Sequence, residues 1–189
     1  RAHQAEAPLD ITLRAEDAVQ PQSTALLGLS RRVTQDERVE ELPGFADGQW
    51  WVQDAAATLP ALLLGDVAGK DVIDLCAAPG GKTLQLAAAG ARVTAVEKHA
   101  ARTARIAENL ARTGLTATLA QSDARDFEGQ APLVLIDAPC TATGTIRRHP
   151  ELPWIKGAAD VTLMAALAYE ILESGAAMVS PGGRLVFAV

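Results

Sequence analysis

The sequence is poor in the residues that mark a disulfide-stapled, metal-bound or membrane-spanning protein. It has two cysteines, Cys76 and Cys140, too few for a disulfide framework and without the spacing of a metal site. No bound metal is therefore expected. No run approaches the roughly 18 apolar residues that span a bilayer, and no signal-peptide pattern opens the chain. A cytoplasmic location with no membrane partner is the expectation. Aromatic residues make up only 4%, so the core must be built from Ala, Leu and Val, as suits helices packed on a buried parallel sheet. Positive charge is also in deficit, 17 Lys and Arg against 23 Asp and Glu, for a formal net charge of −6. That balance gives no overall attraction to nucleic acid, although a local basic patch can still hold phosphates. Internal repeats and low-complexity tracts are absent too.

What is present fits one domain with a small appendage. The chain has 189 residues, 49% of them hydrophobic and 21% charged, enough for a substantial core. It opens on Arg1 and ends on an apolar run, Leu185-Val186-Phe187-Ala188-Val189, which suggests a piece of a longer protein. Residues 1–45 are polar and irregular, with a half-buried strand over 9–14 and a helix over 21–29 expected. Apolar residues predominate over 54–64 as in a buried helix, kinked or started late by Pro60. After Gly65 short aliphatic strands alternate with helices. Strands are expected at 72–75, 92–96, 116–119, 133–136 and 184–189. Helices are expected at 83–89, at Ala100–Thr113 with Gly114 as the stop, and at 159–178. Pro181-Gly182-Gly183 should turn into the last strand. The rhythm implies β-α-β units and a doubly wound, mostly parallel α/β sheet.

In such sheets ligands sit beyond the carboxyl ends of the strands. There the run Asp74-Leu75-Cys76-Ala77-Ala78-Pro79-Gly80-Gly81-Lys82-Thr83 combines small residues, which allow close backbone approach, with N–H groups that open a helix. Its glycines form neither the dinucleotide fingerprint nor a P-loop, because Cys76 occupies the position of the P-loop's first glycine. Glu97 ends the second strand near the spacing of roughly 20 residues at which a carboxylate accepts from ribose hydroxyls. Asp123 follows the third strand and is a candidate acceptor for an adenine amino group, with a helix N-cap as the alternative.

The loop resembles that of the RsmB/NSUN family of cytosine-5 RNA methyltransferases. Two further stretches carry the likeness: Pro43-Gly44-Phe45-Ala46-Asp47-Gly48-Gln49-Trp50-Trp51-Val52-Gln53-Asp54 before the loop, and Asp137-Ala138-Pro139-Cys140-Thr141-Ala142-Thr143-Gly144-Thr145-Ile146-Arg147-Arg148-His149-Pro150 after the fourth strand, with Trp154 beyond it. Three motifs in order cover most of the chain. The resemblance implies a Rossmann-like fold for S-adenosyl-L-methionine, with a small N-terminal α+β subdomain over 1–45 facing RNA and the catalytic domain over 46–189. It implies that Cys76, Ala77, Ala78, Pro79, Gly80, Gly81, Lys82, Glu97, Asp123 and Asp137 line the cofactor site, and that Lys82 and Asp137 also reach the target base, at O2 and at the N3/N4 edge. A helical NusB-like domain precedes this unit in the bacterial ribosomal branch.

Carbon 5 of cytosine is a poor nucleophile. A thiolate must add at carbon 6 to load electron density onto carbon 5, an acid must hold N3, and a base must later take the carbon-5 proton. Asp137 and Cys140, at the end of an aliphatic strand with Pro139 stiffening the turn, supply a carboxyl and a thiol in one place. An acid raised by burial suits the N3 contact. The alternative for Cys140 is a small buried hydrophobe; Cys76 is expected to pack against cofactor. By the resemblance the attacking cysteine follows the fifth strand, at or just past the residue after Val189, and Cys140 assists product release. The present chain is thus expected to bind cofactor and to turn over little. Arg147, Arg148 and Lys156, with His149 nearby, form the expected phosphate contacts, whereas Arg105 and Arg112 are expected to face solvent. The partner is expected to be 16S ribosomal RNA and the protein a monomer. Transfer RNA methylation, DNA or small-molecule methylation, and an inactive cofactor-binding scaffold are the alternatives.

Overall fold

The computed structural model describes residues 7–35 and 37–189; the first six residues of the expected N-terminal unit lie outside them. Four short strands open the chain: β1 (Asp10–Leu13), β2 (Ser23–Ala25), β3 (Ser30–Val33) and β4 (Trp50–Val52). They pair antiparallel in the order β2-β3-β1-β4. The stretch expected to be helical, 21–29, instead forms β2 and its turn. Its Ala-Leu-Leu run favours a helix locally, but pairing of Ser23, Thr24 and Ala25 with β3 overrides that preference. Among the described residues the layer is an antiparallel sheet with a 3-10 turn at Val39–Glu41. It also takes in β4, so it runs through Val52, past the boundary expected at residue 45. β1 is central and buried throughout instead of half buried: Ile11 and Leu13 pack with Trp50, Val33 and Leu42, while Asp10 turns to Arg32.

Beyond β4 come α1 (Ala55–Leu63), β5 (Asp71–Leu75), α2 (Gly81–Ala88), β6 (Arg92–Glu97), α3 (Ala100–Thr113), β7 (Thr118–Gln121), β8 (Ala131–Asp137), α4 (Leu152–Ile155), α5 (Ala158–Ala177) and β9 (Val179–Ala188). The five strands form a parallel sheet in the order β7-β6-β5-β8-β9. The doubly wound fold expected from the sequence is present. Side chains alternate across each strand, and β8 shows the result: Leu133 and Leu135 pack with Ala61, Leu64 and Leu86 on one face, Val134 and Ile136 with Ala168 and Ile171 of α5 on the other. α3 covers β6 through Ile106 and Leu110. It ends where Gly114, at φ +65°, turns into the left-handed region that closes helices.

Two expectations need correction here. The helix over 54–64 is not buried all round: Thr58 and Ala61 face the core, whereas Leu59, Leu62 and Leu63 are exposed, and Pro60 sits within it. Pro181-Gly182-Gly183 does not precede β9 but bulges from it, since pairing with β8 jumps from Val179 to Arg184.

The two layers share β4. Trp50 packs into the N-terminal core and Trp51 into the core of α2 and α3. Trp50 Nε1 donates to Pro43 O at 2.8 Å, and Trp51 Nε1 to Gln53 Oε1 at 2.8 Å. Arg112 reinforces this seam. Expected in solvent, it is half buried, lies 4.1 Å over the Phe45 ring and donates to the carbonyls of Phe45 and Trp50 at 2.7 and 3.0 Å. Arg105 is exposed.

Candidate cofactor and reaction site

The strand order reverses between β5 and its neighbours β6 and β8, so the carboxyl ends of these three strands frame one cleft. A cavity of about 500 Å³ lies there, lined by Cys76, Glu97, Asp123, Asp137, Pro139 and Cys140 among others. Its size suits a cofactor. Each of these strands carries a carboxyl at or next to its end, each in a different environment.

At β5, aliphatic neighbours bury Asp74 completely. Thr83 Oγ1 donates to its Oδ2 at 2.6 Å, and Oδ1 finds no partner among the described residues. Burial pushes the carboxyl up to about 7, opposed by the Thr83 bond and the Lys82 charge and aided by the Asp137 charge. Cys76 follows at φ 60°, and burial, then the charges of Glu97 and Asp74, pushes its thiol up to about 12. Such a thiol is not a nucleophile near neutral pH; packing against a ligand suits it. Gly80, at φ +106°, opens α2, and a Cβ there would press on Ile106 Cγ2 at 3.3 Å. The loop therefore passes close over α3, and Gly is the residue that permits both.

At β6, Glu97 is 3% exposed, not a solvated strand-end acid. Its Oε1 accepts from the His99 N–H at 3.0 Å, whereas Oε2 has no partner among the described residues. A buried carboxylate oxygen left without a donor is rare in folded proteins, and Glu97 is among the residues that line the cavity. Asp123, beyond β7, is not a helix N-cap, since no helix follows it before β8. Arg125 grips both its oxygens at 2.9 and 2.8 Å and Lys98 adds a contact at 2.9 Å. Together these hold its carboxyl well below the usual range.

At β8, Asp137 is not the buried acid of the site: its side chain is 39% exposed and accepts from Lys82 Nζ at 2.7 Å. Lys82 and Asp137, each expected at the target base, are thus partners across the cleft. Cys140 is exposed rather than a buried hydrophobe, and its Sγ accepts from the Ala142 N–H at 3.3 Å. The next stretch carries Arg147, Arg148, His149 and Lys156, all exposed, and Trp154, 88% exposed. Arg148, expected at phosphate, does not present an unpaired fork. Its fork is bidentate to Asp54 at the start of α1, with Nη1 to Oδ2 at 2.8 Å. His149 contacts Glu151 at 3.2 Å.

Sequence reasoning missed Arg102, which contacts both Glu97 and the loop, and the clamps Lys98 and Arg125. Lys98 and Arg102 reach partners on other loops, so spacing gave no signal there, whereas Arg125 lies two residues after Asp123 in the same loop and was simply passed over. Asp74 did carry one, as a carboxylate inside an aliphatic strand. Among the described residues no group of acids, His and Cys is placed to hold a metal ion, and no helix is long and apolar enough to cross a membrane.

Sheet order, cleft and loop together define a Rossmann-like methyltransferase fold. The chain belongs to the 16S rRNA methyltransferase RsmB/F family, whose model matches residues 61–189. It is 45% identical over 157 residues to the ribosomal RNA small subunit methyltransferase B of Salmonella arizonae, an alignment covering 79% of this chain and 37% of that protein. The chain thus spans about 37% of the length of that relative. The crystal structure of PH0851 superposes with a TM-score of 0.88 at 29% identity, covering 99% of this chain and 47% of that one. NSun6 from Pyrococcus horikoshii, solved with SFG, superposes with a TM-score of 0.73 at 29% identity, covering 85% of this chain and 44% of that one.

Proposed function

We propose that this chain is the S-adenosyl-L-methionine-binding core of an enzyme that methylates carbon 5 of a cytosine in RNA, the RNA of the small ribosomal subunit being the preferred substrate. The observation that carries the reading is the pairing, in one cleft, of a buried acid with an unpaired oxygen, Glu97, and a turn that carries the part-exposed Asp137 and the exposed Cys140. Membership of the RsmB/F family supports it. The residues fit the cofactor: Glu97 Oε2 accepts from the ribose, Asp123 faces the adenine, and Cys76 to Gly81 leave room for close backbone approach. The cofactor supplies a methyl group on a positively charged sulfur.

The chain's own groups shape the rest of the chemistry. Lys82 neutralises Asp137 in the free protein and can donate to the base O2 when a cytosine enters, freeing Asp137 for the N3/N4 edge. The attacking thiol adds at carbon 6 and belongs to the segment after β9. Cys140, exposed beside Asp137, assists release of the product when the carbon 6–sulfur bond breaks and carbon 5 loses its proton. RNA favours such a site because unpaired bases can be swung into pockets. Arg147 and Lys156 border the turn, while the antiparallel layer over residues 7–52 forms an RNA-facing unit against α1 and α3.

The test is transfer of labelled methyl groups from S-adenosyl-L-methionine to unmodified small-subunit RNA by the natural full-length protein. Label on a cytosine supports the reading; no label on any cytosine overturns it. With Cys140→Ala, accumulation of a covalent protein–RNA adduct identifies Cys140 as the release residue, whereas loss of any adduct makes it the nucleophile.

A further inference from the structure

The cleft leans on α3 through a side chain with two grips. Arg102, in the first turn of α3, donates from Nη2 to the carbonyl of Ala78 at 2.9 Å, and its Nη1 lies 3.6 Å from Glu97 Oε1. Its first partner belongs to the loop after β5, its second to the end of β6. One planar guanidinium therefore spans the two walls of the cleft. We propose that Arg102 is a positioning residue for the cofactor: it sets the separation of the loop from Glu97 and selects which Glu97 oxygen is left without a donor. The proposal rests on reading the cleft as a cofactor site.

The selection follows from the acceptor count. A carboxylate as buried as Glu97 needs compensation. The His99 N–H and the Arg102 guanidinium both sit on Oε1, leaving Oε2 buried and without a hydrogen-bond partner among the described residues. Without Arg102 the carboxylate loses its nearest cation and can rotate toward the remaining donor. Lysine cannot replace it, because a single ammonium cannot reach the carbonyl and the carboxylate together. Two turns further along the same face, Asn109 Nδ2 donates to the Pro79 carbonyl at 3.2 Å. Arg112, which grips the N-terminal layer, lies 3.5 Å from Asn109 Oδ1. α3 thus presents a polar ridge to the outside of the loop, with Arg102 at its inner end.

The experiment measures S-adenosylhomocysteine affinity by calorimetry, and KM and kcat for methyl transfer, on the natural full-length protein and on Arg102→Met, Arg102→Lys and Asn109→Ala. A charge-assisted contact of this kind predicts a rise of about 10-fold or more in Kd and cofactor KM for Arg102→Met, with kcat at saturating cofactor changed by less than about 3-fold. Arg102→Lys should fall between wild type and Arg102→Met, and Asn109→Ala should weaken binding about 2- to 5-fold. If Arg102→Met does not fold, the graded pair Arg102→Lys and Asn109→Ala carries the test. Unchanged Kd in the folded variants, even with a lowered Tm, overturns the proposal and leaves Arg102 a structural residue. A wild-type protein that binds no S-adenosylhomocysteine instead overturns the cofactor reading beneath it.

Discussion

The ends of β5 and β8 lie side by side in one sheet and are built in opposite ways. At β5 the acid is sealed, with Asp74 wholly buried and bonded to Thr83. At β8 the acid is open, with Asp137 39% exposed, paired to Lys82 and followed by an exposed thiol. A ligand held in every turnover benefits from groups fixed in advance by packing. A base that must enter and leave needs groups that solvent and substrate can reach. On the function proposed above, burial, more than residue type, separates the holding wall of this cleft from the reacting wall.

Breaking the reacting wall should have the largest effect. Asp137→Ala should lower methyl transfer by about 10²- to 10⁴-fold, the usual worth of a positioned acid or base, while Tm changes little because the side chain is part exposed. Labelled-methyl transfer and a melting curve on the same sample check both halves. Opening the holding wall comes next. Glu97→Ala should raise the Kd for S-adenosylhomocysteine by about 10-fold or more, read by calorimetry, because the unpaired Oε2 is lost.

The third prediction concerns pH. The Asp74 carboxyl is raised from 3.8 to about 7 by burial, so the folded protein holds that proton more tightly than the unfolded chain does. Its contribution to stability is present below about pH 4 and is lost as pH rises toward 7. Lys82 and Asp137 are the charged neighbours acting on it, in opposite senses. Relative to Asp74→Asn, the wild-type protein should lose on the order of a few kcal/mol of unfolding free energy across that window. Urea titrations of both proteins at pH 4.5 and 7.5 decide it; parallel curves would sink the idea. The smallest effect is expected at the rim, where Arg148→Ala should cost about 1 kcal/mol or less, as exposed ion pairs do. It should also leave the salt dependence of RNA binding unchanged, because the guanidinium is committed to Asp54. A shallower slope would return Arg148 to the phosphate contacts.

Much of this was legible locally. Ala100–Thr113 could be read to the residue because Gly114 marks its stop, and the strands of the parallel sheet show as aliphatic runs between small-residue turns. The cofactor loop was legible because its glycines and alanines are required by close approach. What stayed hidden depended on distant partners. Arg112 looked solvent-facing because the Phe45 and Trp50 carbonyls lie far away in sequence, as Asp54 does from Arg148. Residues 21–29 read as helix because pairing with β3, not local preference, decides their conformation. Asp137 read as the buried acid because order along the chain does not reveal how far β8 projects from the core.

The adjacent tryptophans of β4 have a consequence for how the molecule comes apart. Trp50 belongs to one core and Trp51 to the other, so neither layer can loosen without pulling a neighbouring residue out of its partner's interior. The antiparallel layer and the parallel sheet should therefore melt as one cooperative unit. Tryptophan emission and far-ultraviolet dichroism should trace the same single transition, and two separated midpoints would mean that β4 is a hinge instead of a weld.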